Sequence, residues 1–385
     1  MQVADLRIAL LSGNYNYVRD GANKAQNRLV KTLLDQGAQV RVYAPVVANP
    51  AFPPTGPLVG IPSLPVPGRG EYRIPLGLGR AARADLARFD PHIVHVSSPD
   101  RASRQAAAWG RAHGRPVVAT VHTRFETYPR YYGLGFTEPL IEAWLRRLYS
   151  RCDTLLVPSP TMVDVLRGQR MNRHVEIWSR GVEKSVFHPG ARDLAWRRGI
   201  GLADEPPVIG FLGRLVLEKG LEVFAAALAA LRQRGVPHQA MVIGEGPARE
   251  WFAQRTPQAV FTGFLAGEEL GRAVASMDVL FNPSVTETFG NVTLEAMAAG
   301  IPTVAARATG SSGLVEHGVS GQLVEPGNIA AFADALEVYC RDPALARAHG
   351  AAAAARAEPY DWESINLCVA QTYLRLIAER AEKKG

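Results

Sequence analysis

The sequence predicts an α/β protein built from two doubly wound domains, each a parallel sheet with helices on both faces. Three observations predict it. Short apolar runs alternate with helix-like stretches along the whole chain, the pattern parallel strands impose because each crossover needs a helix of its own. The join between two such alternations falls near Phe187-His188-Pro189-Gly190, where proline and glycine mark a connection. And 385 residues make about two domains of ordinary size.

In the first half, strands are predicted at residues 6–11, 39–44, 93–96, 117–120 and 155–157, with helices at 25–35, 78–88, 102–113 and 139–150. Residues 45–75, rich in proline and glycine, read as a long exposed insertion near a binding site. A second alternation begins at Val208, with strands at 208–212, 239–243, 259–261, 279–282, 303–306 and 322–324. Its helices fall at 220–234, 247–255, 267–276, 292–299, 329–341 and 343–357. A last helix, 362–381, follows Pro359. The predicted domains are therefore 1–188 and 189–358, with 359–385 left over.

A hydrophobic fraction of 47% with 21% charged residues is that of a soluble globular protein. Cys152, Cys340 and Cys368 have no paired spacing, which argues against a disulfide framework or a zinc site and for reduced thiols in or near the core. The first apolar run is too short to span a bilayer and lacks a small-residue cleavage pattern, so it reads as a strand, not a signal peptide. The net charge of +7 is unevenly placed: 25 basic and 14 acidic residues lie up to Gly190, 18 and 22 beyond it. Arginines cluster at Arg69, Arg73, Arg80, Arg83 and Arg88, and again at Arg101, Arg104, Arg111 and Arg115. Such asymmetry marks either an anionic partner, a membrane surface above all, or merely solvated helix faces. No zinc finger, helix-turn-helix or RNA-binding aromatic signature accompanies it, which disfavours nucleic acid.

The chemistry concentrates between Thr286 and Pro302. Glu287 and Glu295 stand eight positions apart, on either side of the Phe289-Gly290-Asn291 turn, and a helix-like run follows that ends at Gly300 and Pro302. A glycine turn feeding a helix presents unpaired backbone N–H groups, to which phosphate is the usual guest. Carboxylates on both sides suit a ligand with phosphates in the middle and hydroxyl-rich sugars at its ends. Gly213-Arg214-Leu215 follows the 208–212 strand, and Lys219-Gly220 opens the next helix. Strand-end loops are where ligands sit in open parallel sheets. Arg214 can fork onto phosphate oxygens and Lys219 adds a point charge, so together they neutralise a diphosphate. No D-x-D pattern is present, so a metal-bridged diphosphate is not expected. In the first half, Gly21 between the first strand and helix lets backbone approach a phosphate. His122 stands just past the 117–120 strand, as a binding residue or as a buried hydrogen-bonded core histidine.

The E-x7-E pattern, the G-R-L-x4-K-G element and the order of elements resemble retaining glycosyltransferases of family 4, with the GT-B fold, over essentially the whole chain. The resemblance implies two Rossmann-like domains with a cleft between them: acceptor-binding at 1–188, donor-binding at 189–358, and a terminal helix in 359–385 that crosses back to the N-terminal domain. It further implies that Glu287 holds hydroxyls of the transferred sugar and Glu295 those of the ribose. Backbone N–H groups of Phe289, Gly290 and Asn291 would meet sugar or phosphate. The base would lie near Thr262-Gly263-Phe264-Leu265, and His122 near the donor sugar and leaving phosphate. Gly244-Glu245-Gly246-Pro247 matches the family's G-x-G-P turn. Gly21-Ala22 stands where a double glycine is commoner.

His122-Thr123-Arg124-Phe125, the stretch Tyr128-Pro129-Arg130-Tyr131-Tyr132-Gly133-Leu134-Gly135 and Trp178-Ser179-Arg180-Gly181-Val182-Glu183 are similar to glycolipid-forming members. These include sulfoquinovosyl-diacylglycerol synthases and GDP-mannose-dependent α-mannosyltransferases. The implied catalytic residues are His122, Glu287, Arg214 and Lys219. The implied donor-binding residues are Gly21, Gly213, Arg214, Lys219, Phe264, Leu265, Glu287, Phe289, Gly290, Asn291 and Glu295. No cofactor or metal is expected beyond the nucleotide-diphosphate sugar, GDP-mannose first and UDP-glucuronate or UDP-glucose second. The acceptor would be a lipid or glycan hydroxyl, and the location cytoplasmic or peripheral on the inner membrane face. Rival readings are a sugar-nucleotide epimerase of the same fold, which would need no acceptor, and an inactive nucleotide-binding scaffold. A dehydrogenase is disfavoured because no G-x-G-x-x-G follows the first strand.

Overall fold

The structure, a computed structural model, describes all residues except 19–20, 67–68, 128–134 and 384–385, and the side chains of 69–71 are likewise outside it. The chain forms two compact units, Met1–Arg180 together with Trp362–Gly385, and Gly181–Asp361. The first crossing lies ahead of the Phe187–Gly190 stretch for a physical reason. Val182 and Phe187 already bury themselves in the second unit's core, and the Val182 N–H donates to the Tyr360 carbonyl at 2.9 Å.

The first unit carries β1 (Arg7–Leu11), α1 (Gly21–Asp35), β2 (Gln39–Ala44), β3 (Leu58–Gly60), β4 (Ser63–Val66), β5 (Arg69–Pro75), α2 (Gly79–Phe89), β6 (Ile93–Val96), α3 (Arg101–Ala112), β7 (Val117–Thr120), α4 (Glu138–Tyr149), β8 (Thr154–Val157), α5 (Pro160–Gly168) and β9 (Val175–Ile177). Its seven-stranded sheet runs β3-β2-β1-β6-β7-β8-β9 with every pairing parallel. The strand period of two explains the sandwich. From β1, Ile8 and Leu10 point into one core with α1, while Ala9 and Leu11 point into the opposite core with α2, α3 and α4.

The second unit carries α6 (Leu194–Gly199), β10 (Val208–Leu212), α7 (Leu221–Gln233), β11 (Gln239–Ile243), α8 (Arg249–Arg255), β12 (Ala259–Gly263), α9 (Gly267–Ala275), β13 (Val279–Asn282), α10 (Asn291–Ala298), β14 (Thr303–Ala306), β15 (Gly321–Val324), α11 (Ile329–Arg341) and α12 (Pro343–Ala357). Its six-stranded sheet runs β12-β11-β10-β13-β14-β15, again all parallel. Ile209 and Phe211 face one core and Val208 the other. A final helix, α13 (Trp362–Glu382), returns to the first unit and buries Trp362, Asn366, Val369, Ala370, Tyr373 and Leu376, a stripe at helical spacing. Trp178 Nε1–H donates to Asn366 Oδ1 at 3.1 Å beneath it.

Three expectations need correction. Residues 45–75 are not simply an exposed insertion: Leu58–Gly60 adds a parallel edge strand to β2, and β4 and β5 form an antiparallel hairpin. Pro65 is tolerated there because that two-stranded ribbon is all edge. The helices α5 and α6 and the strand β9 were not predicted, the helices lying among proline and glycine that read as loop and the strand being only three residues long. Cys368 is exposed, whereas Cys152 is buried.

Candidate active site

In the second unit the loops leaving β10 and β11 are stitched together through backbone. The Gly213 N–H donates to the Ile243 carbonyl at 3.0 Å and the Leu215 N–H to the Glu245 carbonyl at 2.9 Å. A Cβ on Gly244 would lie 2.0 Å from the Gly213 oxygen, and one on Gly246 2.3 Å from that of Leu215. Only glycine permits this approach. Arg214 stands exposed on this platform. Lys219 ends a short 3₁₀ turn, Leu217–Lys219, and Gly220 (φ 76°) then abuts Pro283 just past β13.

Here the two halves of the predicted site meet. Lys219 Nζ lies 3.0 Å from Glu287 Oε1. Asn282, closing β13, donates from Nδ2 to Glu287 Oε2 at 3.4 Å and to Thr293 Oγ1 at 3.1 Å. Thr309 Oγ1–H donates to the Glu287 carbonyl at 3.0 Å. Gly290, in the left-handed region (φ 96°), caps α10 with no side-chain cap, so the first amides of the helix starting at Asn291 are not spent on one. Its hydrogen faces the Gly310 oxygen, 2.7 Å from where a Cβ would sit. Phe289 is buried edge-on to Tyr360, with ring centroids 5.9 Å apart, so only its backbone is available to a ligand. Glu295 is half-buried on the second turn of α10. Past β12, Phe264 is exposed and Leu265 half-buried. A cation, a buffered carboxylate and helix-terminal amides thus converge at one strand-end loop cluster, an arrangement able to bind a diphosphate beside a polyhydroxyl group.

Gly21 and His122 belong to the first unit. Gly21 is the first residue of α1, and its neighbour Asp20 lies outside the described residues, as does the aromatic stretch from Tyr128 to Leu134. His122 follows β7 and is packed edge-on to Trp178 at 5.5 Å. Its Nδ1 faces the Arg180 guanidinium, which also donates to the Trp178 and Ser179 carbonyls at 3.0 and 3.1 Å. A guanidinium only donates, so His122 Nδ1 accepts and the ring proton of the neutral imidazole sits on Nε2. Burial first, then the Arg180 charge and His95, hold the His122 pKa well below the ordinary histidine value. Burial pushes Arg180 itself down to about 9, leaving it charged at neutral pH. The other buried arginine, Arg197, is neutralised by Asp278 at 2.8 Å. Arg180 has no carboxylate partner among the described residues.

Arg180 was visible in the sequence only as part of a motif, and Asn282 only as a strand end; neither was assigned a role. One expectation follows directly. Nitrogen-edited NMR of His122 should report a neutral, Nε2-protonated ring at neutral pH and well below it, whereas Arg180→Leu should move the titration upward by part of the shift, because burial, the larger cause, stays. A ring that titrates identically in both proteins would contradict the assigned pairing.

Among the described residues, no helix is long and apolar enough to cross a membrane, and no three His, Cys, Asp or Glu side chains are grouped as metal ligands are. Residues 19–186 match the family described as Glycosyltransferase Family 4, and residues 206–342 match Glycosyl transferases group 1. A GDP-mannose-dependent alpha-mannosyltransferase of Mycolicibacterium smegmatis is 35% identical over 83% of this chain and 84% of its own length. The sulfoquinovosyl transferase of Arabidopsis thaliana is 31% identical over 93% of this chain and 71% of its own. Among solved structures, sucrose-phosphate synthase from Thermosynechococcus elongatus superposes with a TM-score of 0.80 at 22% identity, covering 97% of this chain and 100% of that one. The fold is GT-B, and the chain belongs to glycosyltransferase family 4.

Proposed function

We propose that this glycosyltransferase moves mannose from GDP-mannose, with retention of configuration, to a hydroxyl of a lipid-linked or saccharide acceptor in glycolipid or envelope-glycan synthesis. The observation that carries the reading is the Lys219–Glu287 pair at 3.0 Å, which joins a phosphate-neutralising loop to the carboxylate loop of α10. Support for the donor comes from relatives named for GDP-mannose, 29% identical over 98% of this chain in Corynebacterium glutamicum and 35% over 83% in Mycolicibacterium smegmatis.

In this reading Arg214, Lys219 and the first amides of α10 take up the charge that develops on the departing diphosphate, the largest contribution to lowering the barrier. They do so without a metal ion. Glu287 orients sugar hydroxyls and Glu295 the ribose. His122 offers an Nε2–H to a ligand oxygen. The anomeric C–O bond to phosphate breaks, the acceptor oxygen bonds to the same face of that carbon, and the acceptor's proton passes to the leaving phosphate oxygen.

The test is a thermal-shift titration with GDP, UDP, GDP-mannose and UDP-glucuronate, each with and without EDTA. Binding to the folded state alone must raise Tm. Stabilisation by the guanine series, unmoved by EDTA, is expected; stabilisation by the uracil series alone would replace GDP-mannose with a UDP-sugar. Glu295→Ala should weaken donor binding by about 10- to 100-fold, as loss of a charged hydrogen bond does, whereas Glu287→Ala should act mainly on kcat. Wild-type behaviour of both variants would sink the assignment.

A further inference from the structure

The second unit carries an acidic side chain that the diphosphate and sugar contacts do not use. Glu245 follows β11, and its backbone is spent on stitching, the carbonyl accepting from the Leu215 N–H at 2.9 Å. Its side chain reaches the other neighbouring loop, the one leaving β12. There Oε1 lies 3.1 Å from where a Cβ on Gly263 would sit. Two features fix that approach. The Gly244 N–H donates to the Gly263 carbonyl at 2.8 Å, and the β11–β12 register shifts so that Ile243 pairs with Gly263 and Thr262 is passed over. Gly263 itself stands in the left-handed region (φ 77°), so a bare α-carbon lies against the carboxylate. Glu245 Oε2 is 3.7 Å from Arg249 Nε on α8, a loose pair that leaves the carboxylate side chain 47% exposed.

What adjoins this acid is apolar. Phe264 is 59% exposed and Leu265 half-buried, directly after Gly263. A ring open to solvent beside an acid suits a heterocycle, which stacks by its face and is read at its edge. The edge chemistry then selects among bases. Guanine presents two adjacent donors, N1–H and the N2 amine. Uracil presents a single donor, N3–H, between two acceptor carbonyls. A carboxylate accepts at both oxygens and donates nothing, so it can take both donors of guanine, whereas against uracil it meets lone pairs on either side of one N–H.

We propose that Glu245 is the specificity-determining residue for the nucleobase, its carboxylate accepting from N1–H and the N2 amine of guanine beside Gly263 and Phe264. The inference rests on the GDP-mannose reading, to which it adds the residue that tells guanine from uracil.

The experiment is calorimetric titration of wild type, Glu245→Ala and Glu245→Gln with GDP, IDP and UDP, IDP being GDP without the N2 amine. Wild type should bind GDP about 10-fold more tightly than IDP, the effect of losing one hydrogen bond to a charged group, and UDP more weakly still. Glu245→Ala should lose about 10- to 100-fold for GDP and bind GDP and IDP alike, since the amine and the carboxylate count only together. Its Tm without ligand should barely move, because the side chain is half exposed and the stitching is done by backbone. Glu245→Gln, which exchanges an acceptor oxygen for an N–H donor, should narrow the gap between GDP and UDP. Should Glu245→Ala fail to fold, Glu245→Gln and the wild-type comparison of GDP with IDP still decide.

Equal affinity of wild type for GDP and IDP overturns the proposal, as does a GDP preference that survives in Glu245→Ala. A preference lost in Glu268→Ala and kept in Glu245→Ala would overturn it too, by moving the reader to the first turn of α9. In each of these cases GDP still binds, and the GDP-mannose reading stands. Tighter binding of UDP than of GDP by wild type, or binding of neither, would instead defeat that reading and the assignment together.

Discussion

Replacing Lys219 by alanine is expected to lower kcat by about 100- to 1,000-fold, the usual effect of deleting one preorganised group that stabilises transition-state charge. Two things change at once in this variant. In the proposed reaction the leaving diphosphate loses a cation, and Glu287, only 13% exposed, loses the Nζ that neutralises it at 3.0 Å. The uncompensated carboxylate then repels the phosphate that Lys219 attracted. Lys219→Arg keeps the charge but not its compact geometry, so it should recover only part of the rate. The pair is a unit, so Lys219→Ala combined with Glu287→Gln should fall short of the product of the single effects. Steady-state kinetics on wild type and the four variants, Glu287→Gln alone included, with Tm measured alongside, decide it. Wild-type kcat in Lys219→Ala would remove the diphosphate from this loop.

Gly244→Ala should be the most damaging small substitution in the second unit. The new Cβ would sit 2.0 Å from the Gly213 oxygen, a backbone atom that cannot rotate away, and φ at Gly244 is +134°. Strain at that φ and forced movement of the neighbouring loop each cost about 1–3 kcal/mol. Tm should drop by roughly 10 °C on that basis. Donor binding should fall too, because the loop that must move carries Arg214. Gly235→Ala is the control: its φ is +65°, but nothing lies within 4 Å of the added carbon, so only the conformational cost of about 1 kcal/mol remains. Similar Tm losses at the two positions, by calorimetry, would show that the close approach of the loops carries no stability.

Both predictions concern positions that stand out in the sequence, and that reflects what a sequence can convey. Strand-helix alternation comes from local periodicity, so both sheets were legible, as was the glycine punctuation around Lys219-Gly220 and Phe289-Gly290-Asn291. What a chain cannot announce is which distant residues become neighbours. Arg180 lies 58 positions from His122, and its part in fixing the ring's tautomer exists only once β7 and the stretch after β9 are side by side. The arginines behave alike in this respect. In sequence Arg104, Arg111 and Arg115 form one cluster, yet Arg115 turns to Asp90 while the other two join Arg151, in the turn just past α4. The elements α5 and α6 were missed because they lie among Pro158, Pro160 and Gly168 and among Pro189, Gly199 and Gly201, punctuation that reads as loop, and β9 is only three residues long.

The return of α13 to the first unit has a consequence for how the protein is made. The first 180 residues leave the ribosome without the helix that covers Leu6, Ile8, Leu10 and Trp178 on one face of their sheet. Synthesis runs from the N-terminus, at about 5–20 residues per second. That face must therefore wait, under α1 alone, while all of Gly181–Asp361 is synthesised. The second unit, continuous in the chain, can close first; the half begun earliest is finished last. A nascent chain stalled before Trp362 would present this apolar face uncovered, and that interval is when a chaperone would be of use to it.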